Sequence, residues 1–224
     1  MKHFAIITAA GTGERMQSSL PKQFLVLSGM PVLMHTIKKF EGLVDETIVT
    51  LPGGYIDYWK KLCAEYDFHV PHTIVAGAGT RFESIKNALE KIKDDEAWVA
   101  VHDGVRPMVS ESLIKNIFAS AERNGNAVPI IPLSESIRSI DGEKNFYVDR
   151  KKFVSIQTPQ CFRLTSLRKA YAQNFKEEFT DDATAVEAAT GEKIFLAEGE
   201  RQNIKITTGA DFDYCESLME KSAG

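Results

Sequence analysis

Apolar and polar residues along the chain follow two alternating periods. Short apolar runs at residues 4–7, 47–51, 73–75, 98–101 and 127–132 have the length and β-branched content of buried strands. Between them, apolar residues recur every three or four positions. Ile56, Trp59, Leu62, Cys63 and Tyr66 form one such series, and Phe82, Ile85, Leu89 and Ile92 another, so both segments are expected to be amphipathic helices. Pro31 opens a further helix to about Phe40, and Ser110 caps one that runs to about Arg123 and buries Leu113, Ile117 and Phe118. This alternation specifies an α/β fold, a Rossmann-like, mostly parallel open sheet with helices on both faces. Ligands bind such sheets beyond the carboxyl ends of the strands.

The pattern changes after residue 132. Residues 133–154 are polar, turn at Asp141-Gly142 and read as a β-hairpin with little apolar surface to bury in the main core. Such a hairpin projects as an arm, packs on a partner, or is a surface excursion. Beyond it, Leu167, Tyr171 and Phe175 mark a helix, and residues 180–184 (Thr-Asp-Asp-Ala-Thr) cap another. Late strands are expected at 194–196 and 203–207, and a last helix at 210–221. No repeat or linker divides the chain, so residues 1–224 read as one domain with an arm at about 133–154.

Composition narrows the partners. The net charge of −4 argues against a chain devoted to nucleic acid, and no apolar run reaches the length of a membrane span. Cys63, Cys161 and Cys215 are widely spaced and odd in number, which speaks against a disulfide framework or a thiolate metal site. With no signal-peptide pattern at residue 1, the expected compartment is the cytoplasm.

The chemistry begins in the loop after the first strand. Ala9, Ala10, Gly11, Thr12 and Gly13 leave backbone N–H groups uncovered, so they can close around an anion, while Arg15 and Lys22 bring two positive charges to the same loop. It is neither a P-loop, which needs Gly-x-x-x-x-Gly-Lys-Ser/Thr, nor a dinucleotide fingerprint, because Met16 stands where the third glycine belongs. Its cations suit a triphosphate. A second small-residue loop, Gly77-Ala78-Gly79, leads to Ser84, whose hydroxyl can serve its own helix or face a base.

Asp103 and Arg106 follow the fourth strand. For Asp103, pairing with Arg106 and a place beside a metal both stay open. Lys205 interrupts an apolar strand and needs a counter-ion there. No histidine cluster with zinc-ligand spacing and no Gly-x-Ser-x-Gly elbow occurs. A phosphate site without an evident base suits a nucleophile that is already an anion, with positioning and charge neutralisation carrying the catalysis.

These motifs carry a family resemblance. Ala9-Ala10-Gly11-x-Gly13-x-Arg15-Met16 with Pro21-Lys22-Gln23 resembles the signature loop of the sugar-phosphate nucleotidyltransferases, and more narrowly of the 2-C-methyl-D-erythritol 4-phosphate cytidylyltransferases of the non-mevalonate isoprenoid pathway. The resemblance continues through Gly77-x-Gly79-x-Arg81-x-x-Ser84, His102-Asp103-x-x-Arg106-Pro107 and Val148-Asp149-Arg150. It extends to Gln157-Thr158-Pro159-Gln160, Thr180-Asp181-Asp182-Ala183 and Asn203-Ile204-Lys205-Ile206-Thr207, in order along almost the whole chain.

The resemblance implies an enzyme that joins CTP and methylerythritol phosphate, releasing pyrophosphate. The first loop with Arg15 and Lys22 would wrap the triphosphate, and the second loop with Ser84 would read the cytosine. Asp103 and Arg106 would lie near ribose, metal-bound triphosphate and acceptor. Arg150, Thr180, Lys205 and Ser136 would hold the acceptor, with Arg150 delivered by the arm of a second subunit in a homodimer. Magnesium would be held mainly by the nucleotide's phosphates, with Asp103 as the candidate protein ligand.

Two features depart from the family pattern, Ala78-Gly79 where Gly-Gly-Asp is frequent and Phe153 near a usual leucine–tryptophan pair. A ribitol-5-phosphate cytidylyltransferase is the nearest rival, and a nucleotide-binding regulatory module without turnover is the rival from another class.

Overall fold

The computed structural model describes residues 1–11 and 20–223. Among them, β1 (Lys2–Thr8), β4 (Glu46–Leu51), β5 (Thr73–Ala76), β6 (Ala97–Asp103), β7 (Asn126–Pro132), β10 (Val154–Ile156), β11 (Gln160–Arg163) and β12 (Leu196–Glu198) form an eight-stranded sheet. The order is β10-β7-β11-β6-β1-β4-β5, with β12 parallel to β7. Parallel ladders join β6 to β1, β1 to β4 and β4 to β5. The expected α/β sheet is therefore present, with two antiparallel members. β11 runs against both β6 and β7, and β10 against β7. The apolar pattern missed β11 because it is short and begins with Gln160, directly after Pro159.

Side-chain alternation sorts the core onto the two faces. Ala5 and Ile7 of β1 and Trp98 and Ala100 of β6 pack with α1 (Val32–Lys38), α2 (Ile56–Glu65) and α4 (Glu111–Asn124). Phe4, Ile6, Val99 and Val101 face the other way, onto α3 (Arg81–Leu89), α5 (Leu164–Tyr171) and α6 (Asp182–Thr190). This period of two on a sheet covered on both sides explains why the strands read as continuous apolar runs.

Some boundaries differ from expectation. Ser110 does cap α4, accepting from the Leu113 N–H at 3.0 Å. Within the capping segment expected at 180–184, the cap of α6 is Asp181, whose carboxylate accepts from the Thr184 N–H at 2.9 Å. Pro31 pairs with Val26 in a small hairpin of β2 (Val26–Leu27) and β3 (Met30–Pro31), and α1 begins after it. The seventh helix, α7 (Gly209–Ala223), packs Phe212 and Cys215 against Leu27, Val105 and Ile206. The strand expected at 203–207 does not form. Ile206 makes one ladder-like bond, its N–H donating to the Val105 carbonyl at 2.9 Å, while Asn203 turns its side chain to the Thr158 carbonyl at 2.7 Å.

Among the described residues, the hairpin of β8 (Arg138–Asp141) and β9 (Lys144–Tyr147) pairs only with itself, around a Gly142 turn of φ +58°. Every residue of both strands is exposed, including Ile140, Phe146 and Tyr147. Near the sheet's carboxyl edge, two loops come into close contact at Gly77. A Cβ there would lie 2.3 Å from the Ala10 Cβ and 3.0 Å from the Ser84 Oγ, so only glycine lets the first and second loops meet.

Candidate active site

Two neighbouring cavities open beyond the carboxyl ends of the strands. The larger, about 490 Å³, is lined by the β1 end (Thr8 to Gly11), Lys22, Gln23, Ala78 to Arg81, Ser84, Asp103 and Lys205, among others. The smaller, about 320 Å³, is lined by Arg81, Asp103, Arg106, Thr158, Thr180, Asp181 and Lys205, among others. Arg81, Asp103 and Lys205 belong to both.

The start of the first loop is anchored by Gln23, a buried amide that donates to the carbonyls of Ala9 and Gly11 at 2.7 and 3.0 Å. Lys22 donates its Nζ to the Ile206 carbonyl at 2.8 Å, which ties this loop to the segment carrying Lys205. Thr12, Gly13 and Arg15 lie outside the described residues. On the second loop, the Ser84 hydroxyl donates to the Thr80 carbonyl at 2.8 Å and accepts from the Ala78 N–H at 3.0 Å. Its single proton is thus spent on the loop, and what it can still offer a ligand is an acceptor lone pair. Gly77 lies behind this wall, holding the loops together.

Asp103 is the electrostatic centre. Its Oδ2 receives Arg106 Nε at 3.0 Å and Lys205 Nζ at 3.2 Å, and Arg81 Nε stands 3.8 Å from Oδ1. Burial would raise the Asp103 carboxyl, but Arg81, Lys205 and Arg106 outweigh it and hold the group well below the usual carboxylate range. Lys205 does find its counter-ion. It does so from a loop, with its side chain 43% exposed, and not from inside a strand. Arg106 is nearly buried and also donates to the Asn203 carbonyl at 2.8 Å.

Thr180 lines the smaller cavity. Arg150 and Ser136 line neither cavity. Both are exposed on the arm, where the Arg150 guanidinium donates to the Ser134 carbonyl. Among the described residues, no cluster of three or more His, Cys, Asp or Glu side chains could hold a metal ion. Cys161 is fully buried in β11, and burial pushes its thiol up, which removes it from any reactive role.

Two groups escaped the sequence reading. Arg81, quoted only as part of a motif, forms a bidentate pair with Asp182 at 2.9 and 2.7 Å. A partner 101 positions away leaves no local signal. His102 is fully buried and anchors the Asp103–Arg106 turn. A carbonyl can only accept, so its Nε2 carries the proton to the Arg106 carbonyl at 3.3 Å, and its Nδ1 accepts from the Thr158 hydroxyl at 3.1 Å. That hydroxyl oxygen accepts in turn from the Asp103 N–H at 3.0 Å.

This neutral His102 gives a pH test. Burial lowers its pKa to about 4, with Asp103 opposing the shift and Arg106 adding to it. Between the ordinary value near 6.5 and 4, the unfolded chain takes up a proton that the folded chain refuses. Stability is therefore complete above pH 6.5 and falls as pH drops towards 4, by on the order of 3 kcal/mol at 1.36 kcal/mol per pKa unit. His35 and His72, also lowered by burial, add slopes of the same sign. Urea unfolding between pH 7 and 4.5 should show a shallower loss in His102→Gln than in the wild type. Equal slopes would exclude His102 as a source.

The chain matches known proteins over nearly its whole length. The sequence profile of the 2-C-methyl-D-erythritol 4-phosphate cytidylyltransferase family matches residues 3–221. The protein of that name from Porphyromonas gingivalis is 45% identical over 97% of this chain and 98% of its own. Its counterpart from Bacteroides thetaiotaomicron is 42% identical over 98% of this chain and 100% of its own. Among solved structures, the Thermus thermophilus 2-C-methyl-D-erythritol 4-phosphate cytidylyltransferase superimposes with a TM-score of 0.78 at 32% identity, covering 97% of this chain and 98% of that one. The 4-diphosphocytidyl-2C-methyl-D-erythritol synthase from Anaerococcus prevotii does so with a TM-score of 0.83 at 28% identity, covering 98% and 96%. With this agreement along the full chain, the protein belongs to the 2-C-methyl-D-erythritol 4-phosphate cytidylyltransferase family of nucleotidyltransferases.

Proposed function

We propose that the chain transfers the cytidylyl group of CTP to 2-C-methyl-D-erythritol 4-phosphate, giving 4-diphosphocytidyl-2-C-methyl-D-erythritol and pyrophosphate. The observation that carries this reading is the pair of adjoining cavities sharing Arg81, Asp103 and Lys205, one walled by the small-residue loops and the other by Thr180. The nucleotide occupies the larger and the acceptor the smaller. A phosphate oxygen of the acceptor attacks the α-phosphorus, the bond to the β-phosphate breaks, and pyrophosphate leaves.

Each group then has a part. Backbone N–H groups of the first loop, with Arg15 and Lys22, bind the triphosphate and neutralise charge that grows at the α-phosphorus and the leaving oxygens. Ser84 and the loop at Gly77, Ala78 and Gly79 read the cytosine edge, with the Ser84 oxygen as acceptor for its amino group. Thr180, Lys205 and Arg106 orient the acceptor phosphate. No enzymic base is required, because a phosphate monoester with a second pKa of about 6 is already dianionic near neutral pH.

Magnesium fits this site in a limited way. Asp103 Oδ1 is approached at 3.8 Å by Arg81 while Oδ2 takes the two closer cations, so one carboxylate oxygen can meet a cation whose other ligands are phosphates and water. Bound there with CTP, the ion would supply further neutralisation of phosphate charge.

We place the reaction in the cytoplasm. Three free cysteines suit a reducing compartment, and no helix among the described residues is long and apolar enough to cross a membrane.

We further place Arg150 and Ser136 in the acceptor site of a second copy, in a homodimer built through the arm. The exposed Ile140, Phe146 and Tyr147 supply an apolar surface for that contact. Docking would also order an arm on which Arg150 otherwise lacks a phosphate to meet. Mixing Arg150→Ala subunits with Lys22→Ala subunits should restore part of the activity, since one site of the mixed dimer then carries both lesions and the other none. No recovery, with subunit exchange verified, would assign Arg150 to its own subunit.

The reaction itself is tested by following pyrophosphate release from CTP with methylerythritol phosphate and, separately, ribitol 5-phosphate. The reading expects turnover with the first at least about 10²-fold more efficient, the scale on which a pocket discriminates a single methylene or hydroxyl difference. Preference for ribitol phosphate would reassign the acceptor, and CTP binding without release of pyrophosphate would make the chain a binding module.

A further inference from the structure

Arg81 and Asp182 are the first residues of two helices at the cavities: α3 borders both, through Arg81, and α6 borders the smaller, through Thr184. Arg81 opens α3 directly after the loop that walls the larger cavity, and Asp182 opens α6 directly after Thr180 and Asp181 of the smaller one. Their side chains meet in a bidentate pair at 2.9 and 2.7 Å, and the Asp182 carboxylate is fully buried. Tyr171 of α5 donates its hydroxyl to the same carboxylate.

Both ends are fixed to their own elements. Thr80 and Glu83 form a reciprocal cap at the start of α3. At the start of α6, Gln160 of β11 donates to Asp181 at 3.0 Å and accepts from the Ala183 N–H at 3.0 Å. A planar fork gripping a carboxylate through two parallel bonds transmits position as well as charge. Neither loop can shift without moving the other or breaking the pair.

We propose that the Arg81–Asp182 pair is a positioning strut that holds the nucleotide-side loop and the acceptor-side helix start in register, so that filling one cavity tightens binding in the other. The idea rests on the two-cavity function above. It assigns Arg81 to alignment of the reacting groups, through Asp182 on one side and Asp103 on the other.

The test is calorimetric titration with a CTP analogue whose α,β-bridging oxygen is a methylene, with and without saturating methylerythritol phosphate, alongside turnover of CTP. In the wild type, the acceptor should tighten the analogue about fivefold or more, the usual range of coupling between sites. Arg81→Lys keeps the charge and loses the fork, and Asp182→Asn keeps the shape and loses the ion pair. In each, the analogue alone should bind within about threefold of the wild type. The acceptor should no longer tighten it, and kcat should fall about 10²-fold, the scale of a misplacement near 1 Å.

Folded variants, verified by near-ultraviolet circular dichroism, that keep full coupling and turnover would overturn the strut. Should both fail to fold, Tyr171→Phe decides, because it removes only the hydroxyl on Asp182; weakened coupling supports the strut and unchanged coupling overturns it. A wild type that turns over the acceptor yet couples no more than Arg81→Lys also overturns it, with the proposed reaction intact. A wild type that neither binds nor turns over the acceptor removes both.

Discussion

The structure around the two cavities depends on one carboxylate. Asp103 sits at the end of the central strand β6 and gathers Arg106 from the turn that follows it with Arg81 and Lys205 from distant parts of the chain. Taking a charge out of water costs several kcal/mol, and crowding three like charges together is also unfavourable. Each cost is offset only by the presence of the other. The arrangement therefore fixes the first turn of α3, the turn after β6 and the loop before α7 relative to one another, without any strand between them. It also leaves a site rich in positive charge and poor in bases, which suits reactions between phosphates.

Beneath this cluster lies a neutral layer that keeps it in place. His102, Thr158 and the Asp103 backbone form a chain of hydrogen bonds in which each proton has one possible direction, and Asn203 ties the Lys205 segment to Thr158. The electrostatic site is thus supported by uncharged donors and acceptors that titrate only in acid. Gln157 extends the same layer, donating to the carbonyls of Glu200 and Asn203 at 2.8 and 3.3 Å.

Much of this was legible in the sequence, and the gaps have physical causes. Strands covered on both faces announce themselves as apolar runs, so β1, β4, β6 and β7 could be placed, and with them the loops at their carboxyl ends. Gln160–Arg163 could not, because only Cys161 and Phe162, one on each face of the sheet, carry its apolar signal, which is too short a run to read as a strand. Residues 203–207 carry the alternation of a strand, yet the side chain of Asn203 and the single bond at Ile206 hold them as a loop. Lys205 and Arg106 stood out by charge and setting. Arg81 did not, since its meaning comes from Asp182 and Asp103, and an arginine at the start of a helix is indistinguishable locally from a solvated one.

Asp103→Asn tests most directly whether this carboxylate organises the site. The substitution keeps the size of the side chain and removes the charge that balances three cations. With the fold verified, the account predicts kcat reduced by about 10²-fold or more, on the scale of losing a preorganised electrostatic group, with KM raised for both CTP and the acceptor. Turnover near the wild-type value, or a change confined to one substrate's KM, would contradict it.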